Sequence, residues 1–304
     1  VGCSTKTSQK LPETQINVSG IKGPSSIGLL KMMEDVGGKV YTFSVVSSPE
    51  EVVASIVKGD IDIAAIPPNL ASVLYNNTSG EVKTLAASTL GMLYVVERHN
   101  NINSVNDLTG KTIYMSGKGS TPEFVLNYIL KENNINPESD ITIEFKSEHS
   151  EVVAALAQDD NAIGVLPEPF VTVASSKLTD LNVSLDLTEE WDKVNSESTL
   201  IMGVVVGRTQ FINEYPDAVN NFLESYKAST DFVNSNLDDA AALVGKFDLF
   251  DEEVAKKAIP SCNITFIDGD DLKTKLSGFL EVLHTQKPES VGGNLPDEDF
   301  YYKK

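Results

Sequence analysis

The order of strand-like and helix-like segments occurs twice along this chain, and the repetition limits the folds that the sequence can adopt. In the first half, the composition of 14–21 predicts a strand, and the run 26–36 has the apolar spacing of a helix. In the second half, 111–116 and 121–135 repeat that strand and helix. Strands that alternate with helices are typical of an α/β fold. The sequence therefore predicts two α/β units of similar design.

Two apolar segments without helix caps, 83–98 and 199–208, join these units. A chain of 304 residues also exceeds the size at which a single core usually keeps growing. We therefore predict two lobes in mixed, mostly parallel sheets, with hinge strands near Met92 to Glu97 and near Met202 to Gly207. The predicted organisation is a tether at residues 1–13, a discontinuous lobe I at residues 14–93 and 206–304, and lobe II at residues 94–205.

Each predicted lobe contains a loop that joins a strand to a helix through glycine and small hydroxyl residues. The segment "GIKGPSSIGLLKMM" in the first half corresponds to "MSGKGSTPEFVLNYIL" in the second. Open α/β sheets bind ligands at the carboxyl ends of their strands, where helix N-termini present backbone N–H groups. The residues that we predict to contact a ligand from these loops are Gly23, Pro24, Ser25 and Ser26 in one lobe and Gly117, Lys118, Gly119, Ser120 and Thr121 in the other.

A second pair of matched segments, "IAAIPPNLASV" and "IGVLPEPFVTV", contains proline at the end of a strand. From these we predict that Pro68, Asn69, Glu168 and Phe170 line the ligand cleft, and we add Trp191 from the polar segment "DLTEEWDKVN". Each residue also has a structural interpretation that the sequence leaves open. The serines cap a helix, the prolines end a strand, Lys118 is a solvated loop residue, and the aromatic side chains pack in the core.

The formal net charge of −20 bears on the choice of partner. An acidic surface repels the phosphate backbone of nucleic acids and anionic lipids, so we expect no nucleic-acid partner. The sequence contains no run of about 18 consecutive apolar residues, the length that a membrane-spanning helix needs.

The sequence lacks the short motifs of common enzyme classes. A phosphate-binding loop would need glycine five residues before Gly110, where Val105 stands, and a dinucleotide fingerprint would need glycine where Pro122 stands. The histidines are scattered, and we interpret Glu148, His149 and Glu151 as a solvated helix start rather than a metal site. We therefore expect no catalytic residues, no cofactor and no metal.

The two cysteines have different settings. Cys262 lies among apolar residues, where a buried and unreactive thiol is expected. Cys3 follows a glycine and precedes the polar segment "STKTSQKLPETQ". A small residue, a cysteine and a polar leader resemble the processing site of bacterial lipoproteins, so we expect lipidation at Cys3.

From Cys3 through "DIDIAAIPPNLASVLYNN" and "DLTGKTIYMSGKGSTPEFVLNYIL" to the helical C-terminal part, the chain resembles the solute-binding lipoproteins of bacterial ABC importers. It is similar to the branch for nitrate, sulfonates such as taurine, and thiamine precursors. The resemblance implies a type II periplasmic-binding fold that closes around a small solute. It also implies a monomer that serves an ABC permease and its ATPase, outside the cytoplasm and held at the membrane by a lipid anchor only.

Two classes of function follow from this resemblance. The first is non-catalytic capture of a small organic solute, sulfonate-like or thiamine-precursor-like. The helix N-termini favour an anionic group, whereas Glu168 would accept hydrogen bonds from an amine and Phe170 or Trp191 would stack on a ring. The second class is an enzyme on the same fold, similar to a pyrimidine synthase or a small-ring lyase. The sequence favours capture, because no reactive residues are grouped.

Overall fold

The computed structural model describes Pro12 and residues 15–304, so Cys3 and most of the predicted tether lie outside the described residues. The strands are β1 (Ile16–Ile21), β2 (Tyr41–Val46), β3 (Ile63–Ile66), β4 (Val82–Leu90), β5 (Leu93–Glu97), β6 (Thr112–Met115), β7 (Thr142–Phe145), β8 (Ile163–Pro167), β9 (Asn182–Asp186), β10 (Ile201–Arg208) and β11 (Ile264–Ile267). The helices are α1 (Leu30–Val36), α2 (Pro49–Lys58), α3 (Pro68–Asn77), α4 (Thr121–Glu132), α5 (His149–Gln158), α6 (Phe170–Lys177), α7 (Leu187–Val194), α8 (Thr209–Glu214), α9 (Pro216–Ser235), α10 (Leu237–Lys246), α11 (Glu252–Ala258) and α12 (Gly269–Gln286).

The strands form two mixed sheets, which confirms the predicted α/β fold with two similar units. The six-stranded sheet has the order β11-β4-β10-β3-β1-β2, and the five-stranded sheet has the order β7-β6-β8-β5-β9. In the first sheet β1 pairs in parallel with β2 and β3, and in the second β6 pairs in parallel with β7 and β8. The repetition in the sequence thus corresponds to two equivalent three-stranded parallel cores.

The sheets contain more antiparallel pairing than the sequence predicts. In the described part of the chain, β10 pairs antiparallel with β3 and β4, β11 with β4, and β5 with β8 and β9. The expectation of mostly parallel sheets is therefore wrong in this respect. The reason is that β10 in one sheet and β5 in the other run opposite to the parallel core beside them, so each pairs antiparallel with the strands on both of its sides. β11 at the sheet edge also runs opposite to its neighbour β4.

The chain passes between the sheets at two places. The first passage, at Gly91 and Met92, joins β4 to β5 and lies at the edge of the predicted hinge. The second lies at residues 195–200, after α7 and before β10. The predicted hinge at Met202 to Gly207 lies instead within β10, whose residues pair with β3 and β4 of the six-stranded sheet. A continuous apolar run does not show where a buried strand begins, because the end of the connection before it, residues 198–200, is also buried.

The C-terminal segment packs onto the six-stranded sheet. Phe300, Tyr301 and Tyr302 are buried, and the backbone N–H of Tyr302 donates to the carbonyl oxygen of Thr84 in β4 at 3.0 Å. These aromatic residues therefore serve packing. Among the described residues, no helix is both long and apolar enough to cross a membrane.

Gly91 occupies the closest approach between the two passages. A Cβ atom at this position would lie 2.0 Å from Oγ1 of Thr188 and 2.5 Å from Cδ2 of Leu200. Thr188 belongs to α7 and Leu200 to the second passage, so only glycine allows the two connections and α7 to meet here.

We expect Gly91→Ala to destabilise the protein by about 1–3 kcal/mol, because the added methyl group overpacks this junction. Urea unfolding would measure the change in midpoint. Gly207→Ala is a suitable control, since its Cβ would meet only the side-chain ends of Ile212 and Leu85, at 3.1 and 3.2 Å. Equal midpoints for Gly91→Ala and the unsubstituted protein would show that the junction is not tightly packed.

Candidate functional site

A cavity of about 340 Å³ lies between helices that flank the two sheets. It is lined from one side by the starts of α2 and α3 and from the other by the start of α4, and Met202 of β10 also contributes. Four predicted residues line it together: Pro68, Asn69, Ser120 and Thr121. The sequence analysis missed Met202, Pro49 and Glu50, because only the fold brings these residues to the matched loops.

The loop after β6 is shaped by two glycines in the left-handed region, Gly117 at φ 90° and Gly119 at φ 72°. The Ser120 hydroxyl donates to the carbonyl oxygen of Gly117 at 2.7 Å, and the N–H of Gly119 donates to a carboxylate oxygen of Glu123 at 2.5 Å. Side chains of the loop therefore satisfy part of its own backbone. Lys118 is exposed, with its ammonium group 5.7 Å from the centre of the Phe145 ring.

The matching loop after β1 forms a short 3₁₀ helix, Pro24–Leu29, after Gly23 at φ 143°. Ser26 is buried, and its hydroxyl donates to the carbonyl oxygen of Ile21 at 2.7 Å. This hydroxyl therefore holds the loop and is not free for a ligand. Ser25 is half-buried. A Cβ atom added at Gly203 would lie 3.1 Å from the Cβ atom of Ser25.

Beneath this loop lies a group of buried hydroxyls that the sequence analysis did not identify. Ser88 and Thr89 of β4 approach the space beside Gly203, and Thr230 and Tyr226 of α9 approach Gly28. Burial raises the pKa of the Tyr226 hydroxyl, and side-chain hydrogen bonds with Thr230 and Ser88 offset part of this rise. Nothing in the local sequence around these residues marks them, since they come from two distant elements.

The loop after β3 contributes Pro68 and Asn69 at the start of α3. Asn69 was predicted to line the cleft. In the structure the amide nitrogen donates to the backbone carbonyl of Ser290 at 3.5 Å, so it has a weak partner in the C-terminal segment. Asn69 still lines the cavity, and its amide oxygen has no hydrogen-bond donor among the described residues.

Glu168 follows β8 and is only 5% exposed. The Thr172 hydroxyl donates to its carboxyl group at 2.8 Å, and the Thr172 N–H approaches it at 3.4 Å. Burial raises the pKa of Glu168 to about 7, and the two Thr172 hydrogen bonds offset this rise only in part. In the part of the chain that the structure describes, no lysine, arginine or histidine forms an ion pair with it.

Phe170 is half-buried at the start of α6, with its ring centre 5.0 Å from that of His149 at the start of α5. Burial lowers the pKa of His149, so the imidazole stays neutral near pH 7. Its Nδ1 atom is buried without a hydrogen-bond partner among the described residues. His149 does begin α5, but its ring is partly buried, so our interpretation of it as solvated is wrong. Its position at the start of the helix that follows β7 corresponds to that of Phe170 at the start of the helix that follows β8.

Trp191 does not line the cleft, and its prediction as a ligand-binding residue is wrong. Its side chain is fully buried, with Tyr128 and Phe279 at ring-centre distances of 4.4 and 5.5 Å. The indole N–H donates to the Ser198 hydroxyl at 3.1 Å. The polar sequence around it is misleading, because α7 exposes one face to solvent and turns Leu187 and Trp191 into the core.

Within the described ranges, no group of three or more histidine, cysteine, aspartate and glutamate side chains is arranged to hold a metal ion. Cys262 is fully buried, which confirms the expected setting of this thiol, and burial raises its pKa further from the physiological range. Glu148 and Glu151 cap α5 through their carboxylates.

The family model for the periplasmic substrate-binding protein of phosphonate ABC transporters matches residues 28–226. No curated protein sequence matches the chain significantly. Solved structures of similar fold include an ABC transporter protein from Parabacteroides distasonis, with a TM-score of 0.81 and 24% identity over 96% of this chain and 100% of the other.

Two further similar structures are of binding proteins with a named class of ligand. The periplasmic aliphatic sulphonate-binding protein SsuA from Escherichia coli has a TM-score of 0.74 and 14% identity, over 96% of this chain and 92% of its own. The periplasmic nitrate-binding protein NrtA from Synechocystis PCC 6803 has a TM-score of 0.55 and 13% identity, over 81% of this chain and 71% of its own. At these identities the likeness concerns the fold alone.

The raised pKa of Glu168 predicts how stability depends on pH. The folded protein holds this proton to about pH 7, whereas the unfolded carboxyl releases it near 4.5, so folding stability falls as the pH rises through this window. Glu168→Gln removes the ionisable proton. We expect it to raise the free energy of unfolding by up to about 3 kcal/mol at pH 8 and by much less at pH 5. Urea unfolding at the two pH values would measure this.

Glu97→Gln is the matched control. Glu97 is 3% exposed, but its carboxylate accepts hydrogen bonds from the N–H groups of Asn101 and Ile102 and from the Ser184 hydroxyl. An amide replaces one acceptor by a donor, so this variant should be less stable at both pH values. If Glu168→Gln behaved in the same way, the Glu168 carboxylate would have a counter-charge in the folded protein.

Proposed function

The chain belongs to the family of phosphonate-type periplasmic substrate-binding proteins of ABC transporters, and we propose that it captures a small organic solute between its two lobes for delivery to a permease and its ATPase. The cavity between α3 and α4 is the observation that supports this proposal most directly. Its walls come from helices that flank different sheets, so a solute there contacts both. Binding energy that depends on both walls favours a closed arrangement of the lobes.

The cleft has different chemistry on its different walls. The starts of α3 and α4 present backbone N–H groups and the positive end of the helix dipole, which favour an anionic or strongly accepting group. Glu168 and Phe170 lie at the carboxyl end of β8, a parallel neighbour of β6, so they share the edge of the sheet with Ser120 and Thr121. The two parts of this edge therefore favour opposite ends of one solute.

We therefore propose a solute with an accepting group at one end and an amine or a ring N–H at the other, joined by an apolar or aromatic body. A sulfonate or phosphonate that carries an amine meets both requirements, and so does a thiamine-precursor-like heterocycle. Bare nitrate uses only the helix N-termini. The buried Glu168 carboxyl, which has no cation beside it among the described residues, favours the amine-bearing solute over a simple anion.

The alternative, an enzyme on this fold, would need reactive groups gathered at the cleft. Cys262 is buried with a raised pKa, and the exposed His99 lies against Asp160, in the loop between α5 and β8. The geometry of the described residues therefore favours capture over catalysis. Incubation with bound solute followed by mass analysis tests this, since conversion of the solute to a product would show an enzyme.

Binding should be detectable by thermal-shift screening with amine-bearing sulfonates and phosphonates, pyrimidines and nitrate. A solute at 100 times its dissociation constant adds about 2.7 kcal/mol to the free energy of unfolding. For a solute of the proposed class, we expect Glu168→Gln and Phe170→Ala each to weaken binding at least tenfold, since they remove the carboxylate and the aromatic wall. Titration calorimetry would measure both changes.

Glu97→Gln and Phe232→Ala are matched controls for these two variants. Glu97 is a buried carboxylate bonded to backbone N–H groups, and Phe232 is a half-buried aromatic residue of α9 beneath the Lys31 ammonium. Neither should change the affinity. Tight binding of nitrate that Glu168→Gln and Phe170→Ala leave unchanged would contradict the proposed solute class.

We also propose that the protein acts outside the cytoplasm, as a monomer anchored by a lipid on Cys3. The support is the local sequence around Cys3 together with the family of the chain, whose members are periplasmic. When the protein is produced with its export signal, it should fractionate with membranes, and Cys3→Ala should release it or leave it unprocessed. Immunoblots of the membrane and supernatant fractions would measure this. A Cys3→Ala variant that still fractionates with membranes would refute the anchor.

A further inference from the structure

The lobes meet along a seam beside the first passage between the sheets. The Tyr94 hydroxyl in β5 donates to the backbone carbonyl of Ser261 at 2.7 Å, and the Asn263 amide donates to the carbonyl of Gly91 at 3.0 Å. Ser261 and Asn263 precede β11 of the six-stranded sheet, whereas β5 belongs to the five-stranded sheet. Helices α6 and α11 pack together on the same side. Relative movement of the lobes would open these contacts.

Glu168 lies in this seam. Its backbone N–H donates to the carbonyl of Met92 at 3.1 Å, so the residue adjoins the passage itself. Burial is the largest cause of the raised pKa values of Tyr94 and Cys262. The charge of the nearby Glu168 carboxyl group raises both pKa values further. Cys262 belongs to the segment before β11 and Tyr94 to β5, so Glu168 faces groups from both lobes.

The other titratable groups around this position supply no positive charge. Asp186, at the start of α7, is a further carboxylate near Tyr94. His149 from α5 packs on Phe170, and burial lowers its pKa, so it is neutral. Tyr94 and Cys262 are neutral because burial raises the pKa of both. Thr172 contributes only a hydroxyl and an N–H.

An ionised Glu168 is therefore a buried negative charge without a counter-ion among the described residues when the seam is closed. A buried charge of this kind is unfavourable until it is hydrated or paired. Opening the seam lets water reach the carboxylate, whereas a protonated carboxyl has no such need. Ionisation of Glu168 thus favours the open arrangement, and protonation favours the closed one.

We propose that Glu168 couples the closure of the lobes to its own protonation, so that the ionised protein closes only when a solute brings a cation to the seam. The coupling rests on the proposed function for the role of the solute, but its first consequence concerns the protein alone. Without solute, closure becomes more favourable as the pH falls. An empty binding protein at neutral or alkaline pH therefore stays open, and a cationic solute removes the electrostatic barrier to closure.

Small-angle scattering of the protein without solute, at pH 5.5 and pH 8.5 and at low concentration, tests this coupling. We expect a larger radius of gyration at pH 8.5. Glu168→Gln has no proton to lose, so its radius should be the same at both pH values and equal to that of the unsubstituted protein at pH 5.5. Glu97→Gln, which alters a buried carboxylate away from the seam, should keep the pH dependence.

The outcomes separate this inference from the proposed function. A radius that does not change with pH, or that changes equally in Glu168→Gln, overturns the coupling even if a solute binds. Calorimetry near pH 6, in buffers of different ionisation enthalpy, adds a second test with any cationic solute from the screen. Binding should release a proton from the unsubstituted protein and none from Glu168→Gln, and equal proton release in both would also overturn it. A failed solute screen with pH-dependent radii would overturn only the proposed solute.

Discussion

The antiparallel pairing of β4 with β10 fixes the arrangement of the rest of the molecule. Its register places Leu90, the last residue of β4, beside Ile201, the first residue of β10. In the other sheet, Tyr94 near the start of β5 pairs with Asp186 at the end of β9. Both connections therefore leave one sheet and enter the other side by side. Two adjacent connections of this kind are the geometry that the proposed closure of the lobes would need for a hinge.

The parallel cores explain why the proposed site lies at an edge of each sheet. Strands that run in parallel end at one edge, and each is followed by a helix whose N-terminus lies there. The cavity between α3 and α4 is the direct result. Hydrogen bonds within the loops, such as that from the Ser26 hydroxyl to the Ile21 carbonyl, hold the loop backbone in place. Preorganised groups of this kind lose little entropy when a solute binds.

Under the proposed function, the charge distribution would set which solutes the cleft accepts. The chain carries a formal net charge of −20, which slows the approach of anions and attracts cations. Within the cleft, the helix N-termini act at short range and favour an accepting group. Glu168 is buried at the seam between the lobes, with no cation beside it among the described residues. The family of the chain and these local charges together favour a solute with groups of both signs.

The sequence by itself determined the two α/β units, the paired loops and the first passage between the sheets, because these features depend on local periodicity and on glycine and proline at strand ends. Only the tertiary structure decided which residues meet. Four features depend on elements that are distant in sequence: the burial of Trp191, the contact of His149 with Phe170, the cluster of buried hydroxyls near Ser88, and the start of β10. Local patterns record whether a segment is apolar, but burial and register depend on what packs against it.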